Sequence, residues 1–178
     1  MTSSVEARIL SPVEARAAVP ALADILLDCV EGGASVGFMA PFTRERAEGF
    51  WRKVADGVGA GERILLAAAD PADGVPVGTV QVVFAPQENQ PHRADIAKML
   101  VHRRARGRGV GAALLAAAEG AAAAAGRSVL VLDTASDAAE RLYARAGWTR
   151  VGVVPDYALL PGGGFCDTIF FCKRILQA

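Results

Sequence analysis

The chain carries an arginine- and glycine-rich loop at residues 101–115, Val-His-Arg-Arg-Ala-Arg-Gly-Arg-Gly-Val-Gly-Ala-Ala-Leu-Leu, which runs directly into an alanine-rich segment. The alanine-rich segment predicts a helix, and the glycines at 107, 109 and 111 let a ligand approach the backbone closely. The first amides of a helix have no internal partner, and the helix dipole favours an anion at that end. Arginine adds planar donors that can bind two phosphate oxygens at once. The stretch therefore predicts a phosphate-binding loop between a strand and a helix.

Apolar strands flank this loop and its helix on both sides. Arg93 to Val101 precedes the loop, and Ser128 to Asp133 follows the helix as a short apolar strand of the kind buried on both faces. Strands joined by a crossover helix pair in parallel. The runs Arg63 to Ala69 and Val75 to Phe84, joined by a turn-rich segment, predict an antiparallel hairpin instead. We therefore expect a mixed α/β fold with one parallel pair in a mostly antiparallel sheet of about seven strands, flanked by about four helices.

The other predicted elements come from capping and turn residues. Asp137 with Glu140 resembles a capping box for the helix that ends before Gly147, although Ser136 is an equally good cap. The loop helix itself is expected from Gly109 to about Ala125. The remaining expectations are a strand at Val5–Leu10, a helix from Pro12 to about Glu31, a helix from Thr43 to about Val58, a helix over Asp137–Ala146, strands at Trp148–Val154 and Asp167–Lys173, and a loop from Pro155 to Phe165.

Composition narrows the class of protein. The chain has 178 residues, of which 52% are hydrophobic and 21% charged, enough to bury one well-packed core. Lys+Arg and Asp+Glu both total 19, so overall charge does not favour a nucleic-acid partner or a membrane surface. Three widely spaced cysteines and two histidines favour neither a metal site nor a disulfide framework. With no apolar run of membrane-spanning length, we expect a cytoplasmic protein that binds neither a membrane nor a metal.

The glycine loop also fits a dinucleotide-binding pattern, which must be weighed. Gly107-x-Gly109-x-x-Ala112 matches the relaxed fingerprint, and Asp133 ends the next strand, where a ribose-binding acid would lie. However, His102 to Arg106 separate the strand from the first glycine, whereas the dinucleotide turn follows its strand at once. About 45 residues follow Asp133, too few for the rest of such a fold. The pattern is therefore weak evidence for a dinucleotide site.

A second pattern is more specific because two motifs occur together. Arg106-x-x-Gly109-x-Gly111 resembles the coenzyme A pyrophosphate loop of the GNAT acetyltransferases, and Leu142-Tyr143 with Gly147-Trp148 resembles a later motif of that family. The resemblance covers about residues 60–175. It implies a single GNAT domain over residues 1–178 with acetyl-CoA as the acetyl donor. Residues 5–60 would form the acceptor side, and residues 61–178 the acetyl-CoA-binding core.

Further segments are similar to the tabtoxin-resistance acetyltransferases, which acetylate an amino-acid-like toxin. They include Gly32 to Met39, Leu132 to Thr134 and Pro155-x-Tyr157. That family has acidic residues at the acceptor site, which match Asp133 and, one methylene shorter than the family's glutamate, Asp95. The resemblance implies N-acetylation of a small-molecule primary amine, such as an amino-acid-like toxin or antibiotic, and a role in resistance.

Amide formation requires a group that accepts a proton, and Asp95 and Asp133 are candidates for it. A primary amine with a pKa near ~10.4 is unprotonated to only about one part in a thousand at pH 7, so a base must accept its proton. Asp95 and Asp133, on neighbouring parallel strands, could do so, an effect typically worth ~10² to 10⁴ in rate. By resemblance, Tyr143 would protonate the departing thiolate. The predicted acceptor-side residues are Phe38, Met39, Asp95, Asp133 and Tyr157; the predicted cofactor residues are Met99, Leu100, Val101, Arg106, Gly107, Arg108, Gly109, Val110, Gly111, Ala112, Thr134 and Tyr143.

Structural alternatives stay open for most of these residues. Asp133 could simply end its strand, Asp95 could pair with a neighbouring cation, and Tyr143 could be a core aromatic. Other functions also remain: acetylation of a protein or peptide amine, or a non-catalytic module that binds CoA. Nucleic-acid binding through residues 102–108 lacks the adjacent aromatic residues expected of single-strand binders. The sequence is compatible with a monomer or a homodimer.

Overall fold

The computed structural model describes residues 5–175, which form seven strands and five α-helices. A single 3₁₀ turn, Arg103–Ala105, lies in the glycine-rich loop. The strands are β1 (Ala7–Ile9), β2 (Arg63–Ala69), β3 (Pro76–Phe84), β4 (Arg93–Val101), β5 (Val129–Thr134), β6 (Thr149–Leu159) and β7 (Phe165–Arg174), and the helices are α1 (Pro12–Ala17), α2 (Val19–Glu31), α3 (Arg44–Gly59), α4 (Val110–Ala124) and α5 (Asp137–Arg145).

All seven strands belong to one sheet in the order β1-β2-β3-β4-β5-β7-β6. Only β4 and β5 pair in parallel, and every other neighbouring pair is antiparallel. The parallel pair is joined by the crossover helix α4, as the alternation of apolar and alanine-rich segments predicted. The mixed α/β class, the seven strands and the single parallel pair are therefore confirmed.

Helices cover both faces of the sheet and divide the core into two clusters. On one face, Leu114 and Leu115 of α4 and Tyr143 of α5 pack on alternate sheet residues such as Leu66 and Leu130. On the other face, α1, α2 and α3 pack on the intervening sheet residues, around a fully buried Trp51. This alternation along each strand determines which side chains reach which face. Within residues 5–175, no helix is long and apolar enough to cross a bilayer.

The predicted helix from Pro12 to Glu31 is wrong in one respect, because it is two helices. α1 ends at Ala17, Ala18 forms the junction, and α2 begins at Val19 with Pro20 in its first turn. Pro20 has no N–H, and its ring would clash with the carbonyl four residues earlier, so a continuous helix is excluded. Proline is well tolerated in the first turn of a new helix. This break accounts for five helices where four were expected.

The predicted loop from Pro155 to Phe165 is also wrong. β6 continues through Pro155 to Leu159, and the turn to β7 occupies only residues 160–164. Proline is accepted here because β6 is the edge strand of the sheet, where an N–H need not be donated to a neighbour. The register also shifts between Val154 and Ala158, and Asp156 has a φ of 51°, so a bulge absorbs the irregularity. For α5, Ser136 is the cap, because its side chain accepts from the Ala139 N–H.

Candidate active site

The glycine-rich loop presents unpaired backbone donors at the start of α4. Gly107 and Gly109 have φ values of 75° and 80°, a left-handed region that favours glycine. The first internal bond at this end runs from the Ala113 N–H to the Gly109 carbonyl, at 3.0 Å. The preceding amides of Val110, Gly111 and Ala112 are therefore outside the helical ladder, and the N-cap residue, Gly109, has no side chain to cap them. This is the arrangement of donors that an anion such as a pyrophosphate requires.

The four arginines of the loop are not equivalent, which the sequence did not reveal. Arg103 pairs with Asp28 at 2.8 Å, Arg104 with Asp73 at 3.6 Å and Arg108 with Asp70 at 2.8 Å. The hydrogen bonds from Arg108 hold the pKa of Asp70 below its usual value. Most of the local positive charge is thus already neutralised.

Arg106 differs from the other three arginines. Its Nε donates to the Val101 carbonyl at 3.1 Å, and its Nη2 lies 3.9 Å from the Cys29 sulfur. Among the described residues, no carboxylate forms an ion pair with Arg106. Among the four loop arginines, Arg106 is therefore the one whose charge is not neutralised by a described carboxylate; its role in cofactor binding stays a prediction.

Strands β4 and β5 separate next to this loop and create a gap in the sheet. They pair only from Arg93 with Val129 to Asp95 with Val131. Beyond that point, the edge of β4 that carries Met99, Leu100 and Val101 has no strand partner on the β5 side. The carboxyl ends of both strands and the start of α4 meet at this edge, because a crossover helix begins where its first strand ends. The gap therefore lies beside the anion-binding donors.

A bulge in β4 accompanies the gap. Ala97 pairs with Gln81 and Leu100 with Thr79, so Lys98 and Met99 together oppose the single residue Val80. Lys98 has a φ of 49°, which is rare and costly for a residue other than glycine. Such backbone strain is concentrated at functional sites. The bulge turns the Lys98 side chain towards the face of the sheet covered by α3 and the loop after α2.

The two predicted acids project from the same face of the sheet but have different partners. Asp95 is level with Val131, and Asp133 lies two residues further along β5, so the two side chains share one face. The Asp95 carboxylate accepts from Arg93 Nη1 at 2.6 Å, which is the ion pair that the sequence left open as an alternative. Asp133 instead accepts a 2.9 Å hydrogen bond from the buried Thr168 hydroxyl and is itself exposed at the gap.

Lys98 is a residue that the sequence analysis missed. Its Nζ lies 6.0 Å from the centroid of the Phe38 ring and 5.8 Å from that of Phe50. Burial lowers the pKa of Lys98, and the negative charge of Asp133 opposes this effect. The Lys98 ammonium group and the Asp133 carboxylate therefore face the same space. The available signal was a lone lysine within the apolar stretch from Ile96 to Leu100, but its orientation depends on the bulge.

Tyr143 lies in the core on the opposite face of the sheet. It is 4% exposed, and its ring centroid is 5.9 Å from that of Trp148 and 5.7 Å from that of Phe171. Burial, with a smaller effect from the charge of Asp133, raises the pKa of Tyr143 to about 12. Its hydroxyl is therefore protonated at neutral pH and able to donate a hydrogen bond. Thr134, another predicted cofactor residue, already uses its hydroxyl to accept from the Ser136 N–H at 3.1 Å.

The loop between α2 and α3 covers the face of the sheet at the gap on which Asp95 and Asp133 lie. Phe38 packs on Phe42 and Phe50, with centroid distances of 4.5 and 5.3 Å, whereas Met39 is 39% exposed. The Ala40 N–H donates to the Pro161 carbonyl at 2.9 Å and ties the loop to the turn between β6 and β7. The loop therefore spans one face of the sheet from α2 to that turn.

The hairpin of β6 and β7 forms the opposite wall of this space. Tyr157 is 51% exposed and contacts Phe170 edge to face at 5.7 Å. Phe170 is level with Asp133 in the sheet. Phe38 and Tyr157 therefore lie on opposite sides of the space that Lys98 and Asp133 face. Within residues 5–175, no group of three or more His, Cys, Asp or Glu side chains is arranged to hold a metal ion.

Solved structures with the same fold cover nearly the whole chain. A phosphinothricin acetyltransferase from Sinorhizobium meliloti, in complex with acetyl-CoA, has a TM-score of 0.81 at 18% identity and covers 97% of this chain and 89% of its own. The Salmonella typhimurium protein yncA, with its cofactor acetyl-CoA, has a TM-score of 0.78 at 17% identity, covering 99% and 96%. A ribosomal-protein-alanine N-acetyltransferase from Brucella melitensis has a TM-score of 0.76 at 25% identity, covering 95% and 99%.

Family membership follows from a sequence match that spans more than half of the chain. The model of the acetyltransferase (GNAT) family matches residues 22–148. That range includes the loop after α2, the bulged strand β4, the glycine-rich loop and α5. The chain belongs to the GNAT family of acetyltransferases.

Proposed function

We propose that the protein transfers the acetyl group of acetyl-CoA to the primary amine of a small molecule, by direct attack of the amine on the thioester. The observation that carries this proposal is the gap between β4 and β5. Unpaired amides and Arg106 lie at one side of the gap, and the Asp133 carboxylate lies at the other. A donor with a pyrophosphate and an acceptor with an ammonium group would therefore meet between the two strands.

The cofactor would be held mainly by backbone groups. The amides from Gly107 to Ala112 would bind the pyrophosphate, and the free edge of β4 from Met99 to Val101 would accompany the pantetheine arm. Arg106 would contribute its unpaired charge, whereas Arg108 would first have to leave Asp70. In this proposal, residues 61–178 form the acetyl-CoA-binding core, and residues 5–60 form the side that binds the acceptor.

Proton transfer assigns roles to three side chains. Asp133, oriented by Thr168, would accept the proton of the acceptor ammonium directly or through water. Asp95 would be a second acceptor once released from Arg93. Backbone donors near Met99 to Val101 would stabilise the oxyanion of the tetrahedral intermediate. Tyr143, still protonated at neutral pH, would donate a hydrogen bond to the thiolate as it leaves.

Substitution of the two acids tests this assignment. Asp133→Asn keeps the hydrogen bond from Thr168 possible but removes the base, so kcat should fall about 10²-fold or more while the Kd for acetyl-CoA stays unchanged. Asp95→Asn should also lower kcat. Thiol release measures turnover, and calorimetry measures acetyl-CoA binding. Unchanged turnover in both variants would exclude both carboxylates as the base.

Two other functions are separated by direct assays. The similarity to a ribosomal-protein-alanine N-acetyltransferase favours testing peptide amines beside small amines, with mass spectrometry identifying the acetylated species. The similarity to a phosphinothricin acetyltransferase favours amino-acid-like toxins or antibiotics as small acceptors, and hence a role in resistance. Acetyl-CoA binding without thiol release in any panel would indicate a non-catalytic CoA module. A cytoplasmic location and a homodimer stay predictions.

A further inference from the structure

Lys98 is a half-buried cation without a matching anion, at the centre of the proposed acceptor side. Its Nζ lies close to Gly37, where an added Cβ would be 3.6 Å away, so it sits directly beneath the loop between α2 and α3. Among residues 5–175, no carboxylate forms an ion pair with it. Burying an unpaired charge costs free energy, and a lysine that only had to fill space would be better replaced by an apolar residue. The position therefore favours a role for the charge itself.

The two aromatic rings do not satisfy this charge. Distances of 6.0 and 5.8 Å from Nζ to the centroids of Phe38 and Phe50 lie at the outer limit of a cation–π interaction. The rings instead exclude water from one side of the ammonium group, which strengthens its attraction to any anion that enters. The strained backbone of Lys98 fixes the side chain in this direction.

Asp133 faces the same space but is not an ion-pair partner of Lys98. Burial lowers the pKa of Lys98, and the charge of Asp133 is close enough to offset part of that effect; the Asp133 carboxylate is held by Thr168 on the β7 side. The acceptor side thus presents one positive and one negative group that remain apart. An acceptor with an ammonium group and an anionic group complements both.

We propose that Lys98 determines acceptor specificity by binding an anionic group, most simply a carboxylate, of an acceptor whose amine is directed to Asp133. The inference rests on the proposed function, since it places the anion on the molecule that is acetylated. Lys98 is a specificity-determining residue here and takes no part in bond making. An amine without an anionic group would leave the half-buried ammonium of Lys98 unpaired and would bind more weakly.

The test uses pairs of acceptors that differ only in a carboxylate: phenylalanine with phenethylamine, lysine with cadaverine, and 2,4-diaminobutyrate with 1,3-diaminopropane. For the wild type, kcat/KM should favour the carboxylated member of at least one pair by about 10- to 100-fold, the range for a hydrogen bond to a charged group. Lys98→Met, which keeps the aliphatic stem, should abolish that preference by raising KM for the carboxylated member alone. Lys98→Arg should retain part of it.

Two controls separate this role from a structural one. Lys53→Met removes an exposed lysine of α3 and should leave the preference intact. If Lys98 only supported Phe38, then Lys98→Met would lower the melting temperature and reduce kcat/KM equally for both members of each pair. Lys98→Gln provides a second, polar variant if Lys98→Met does not fold.

Binding of the acetylated products gives a readout that does not need turnover. In the presence of CoA, N-acetylphenylalanine should bind more tightly than N-acetylphenethylamine, and Lys98→Met should remove the difference. Absence of acetyl transfer to every acceptor, with this difference retained, would refute the proposed reaction but support the anion subsite. A wild type without carboxylate preference in turnover and in product binding, or a preference that survives Lys98→Met, would overturn the inference.

Discussion

Two glycines of the glycine-rich loop and its helix should respond to alanine in opposite directions, although an added Cβ meets no atom within 4 Å at either position. Gly109 precedes α4 with a φ of 80°, whereas Gly120 lies inside the helix on its exposed side. Because neither substitution causes a steric clash with a neighbour, the backbone conformation alone decides the sign of each effect.

The magnitudes follow from the two conformations. A left-handed φ costs an L-residue about 1–2 kcal/mol, so Gly109→Ala should lower the melting temperature by about 2–8 °C in a chain of this size. Alanine inside a helix is about 0.5–1 kcal/mol more favourable than glycine, so Gly120→Ala should raise the melting temperature by about 1–4 °C. Differential scanning calorimetry of the two variants beside the wild type measures both shifts.

The same pair tests the function of the loop. Relaxation of the strain in Gly109→Ala would reorient the amides that follow it, so the KM for acetyl-CoA should rise, while Gly120→Ala should leave it unchanged. Equal melting temperatures for Gly109→Ala and the wild type would refute the need for a left-handed residue. A stable Gly109→Ala with an unaltered KM for acetyl-CoA would refute the role of this turn in cofactor binding.

Two further variants test the packing around the site. Gly78→Ala should lower the free energy of unfolding in urea by about 1–3 kcal/mol, because the added Cβ would lie 2.7 Å from Val110 Cγ1 and 2.9 Å from Leu114 Cδ1. A loss below about 0.5 kcal/mol would show instead that α4 is free to shift. Tyr143→Phe should lower kcat and remove a pH dependence of stability. Since folding raises the pKa of Tyr143 from 10.0 to about 12, the wild type should lose about 2–3 kcal/mol as the pH rises through that window, and the variant should not. Parallel pH profiles for the two proteins would contradict this assignment.

The part of the fold encoded in local patterns could be predicted from the sequence. The limits of β2 and β4 match the expected strands, and α4 differs from the prediction by one residue at each end. These elements are bounded by turn residues and have uniform composition, so their limits depend on nearby sequence. Pro20 was also a local signal, and its position inside the predicted helix should have indicated the break between α1 and α2.

Features that depend on distant residues could not be predicted. Pro155 within β6 is acceptable only because β6 is an edge strand, which depends on the order of the whole sheet. The ion pairs of Arg103 and Arg108 join residues 75 and 38 positions apart. The sequence therefore could not show that Arg106, unlike its neighbours, forms no ion pair with a described carboxylate. The direction of the Lys98 side chain depends in the same way on the register between β3 and β4.

Under the proposed function, two neighbouring irregularities in the central strands would let one sheet serve both a donor and an acceptor. Gly78 of β3 has no side chain, so the first turn of α4 approaches the sheet closely and its free amides reach the end of β4. The bulge at Lys98, on the adjacent strand, turns a cation towards the opposite face, where Phe38 and Asp133 lie. In the proposed function, the donor side would therefore depend on one face of the sheet and the acceptor side on the other. If this separation holds, changes at Gly78 should act on acetyl-CoA binding and changes at Lys98 on acceptor choice, with effects that are additive in the double variant.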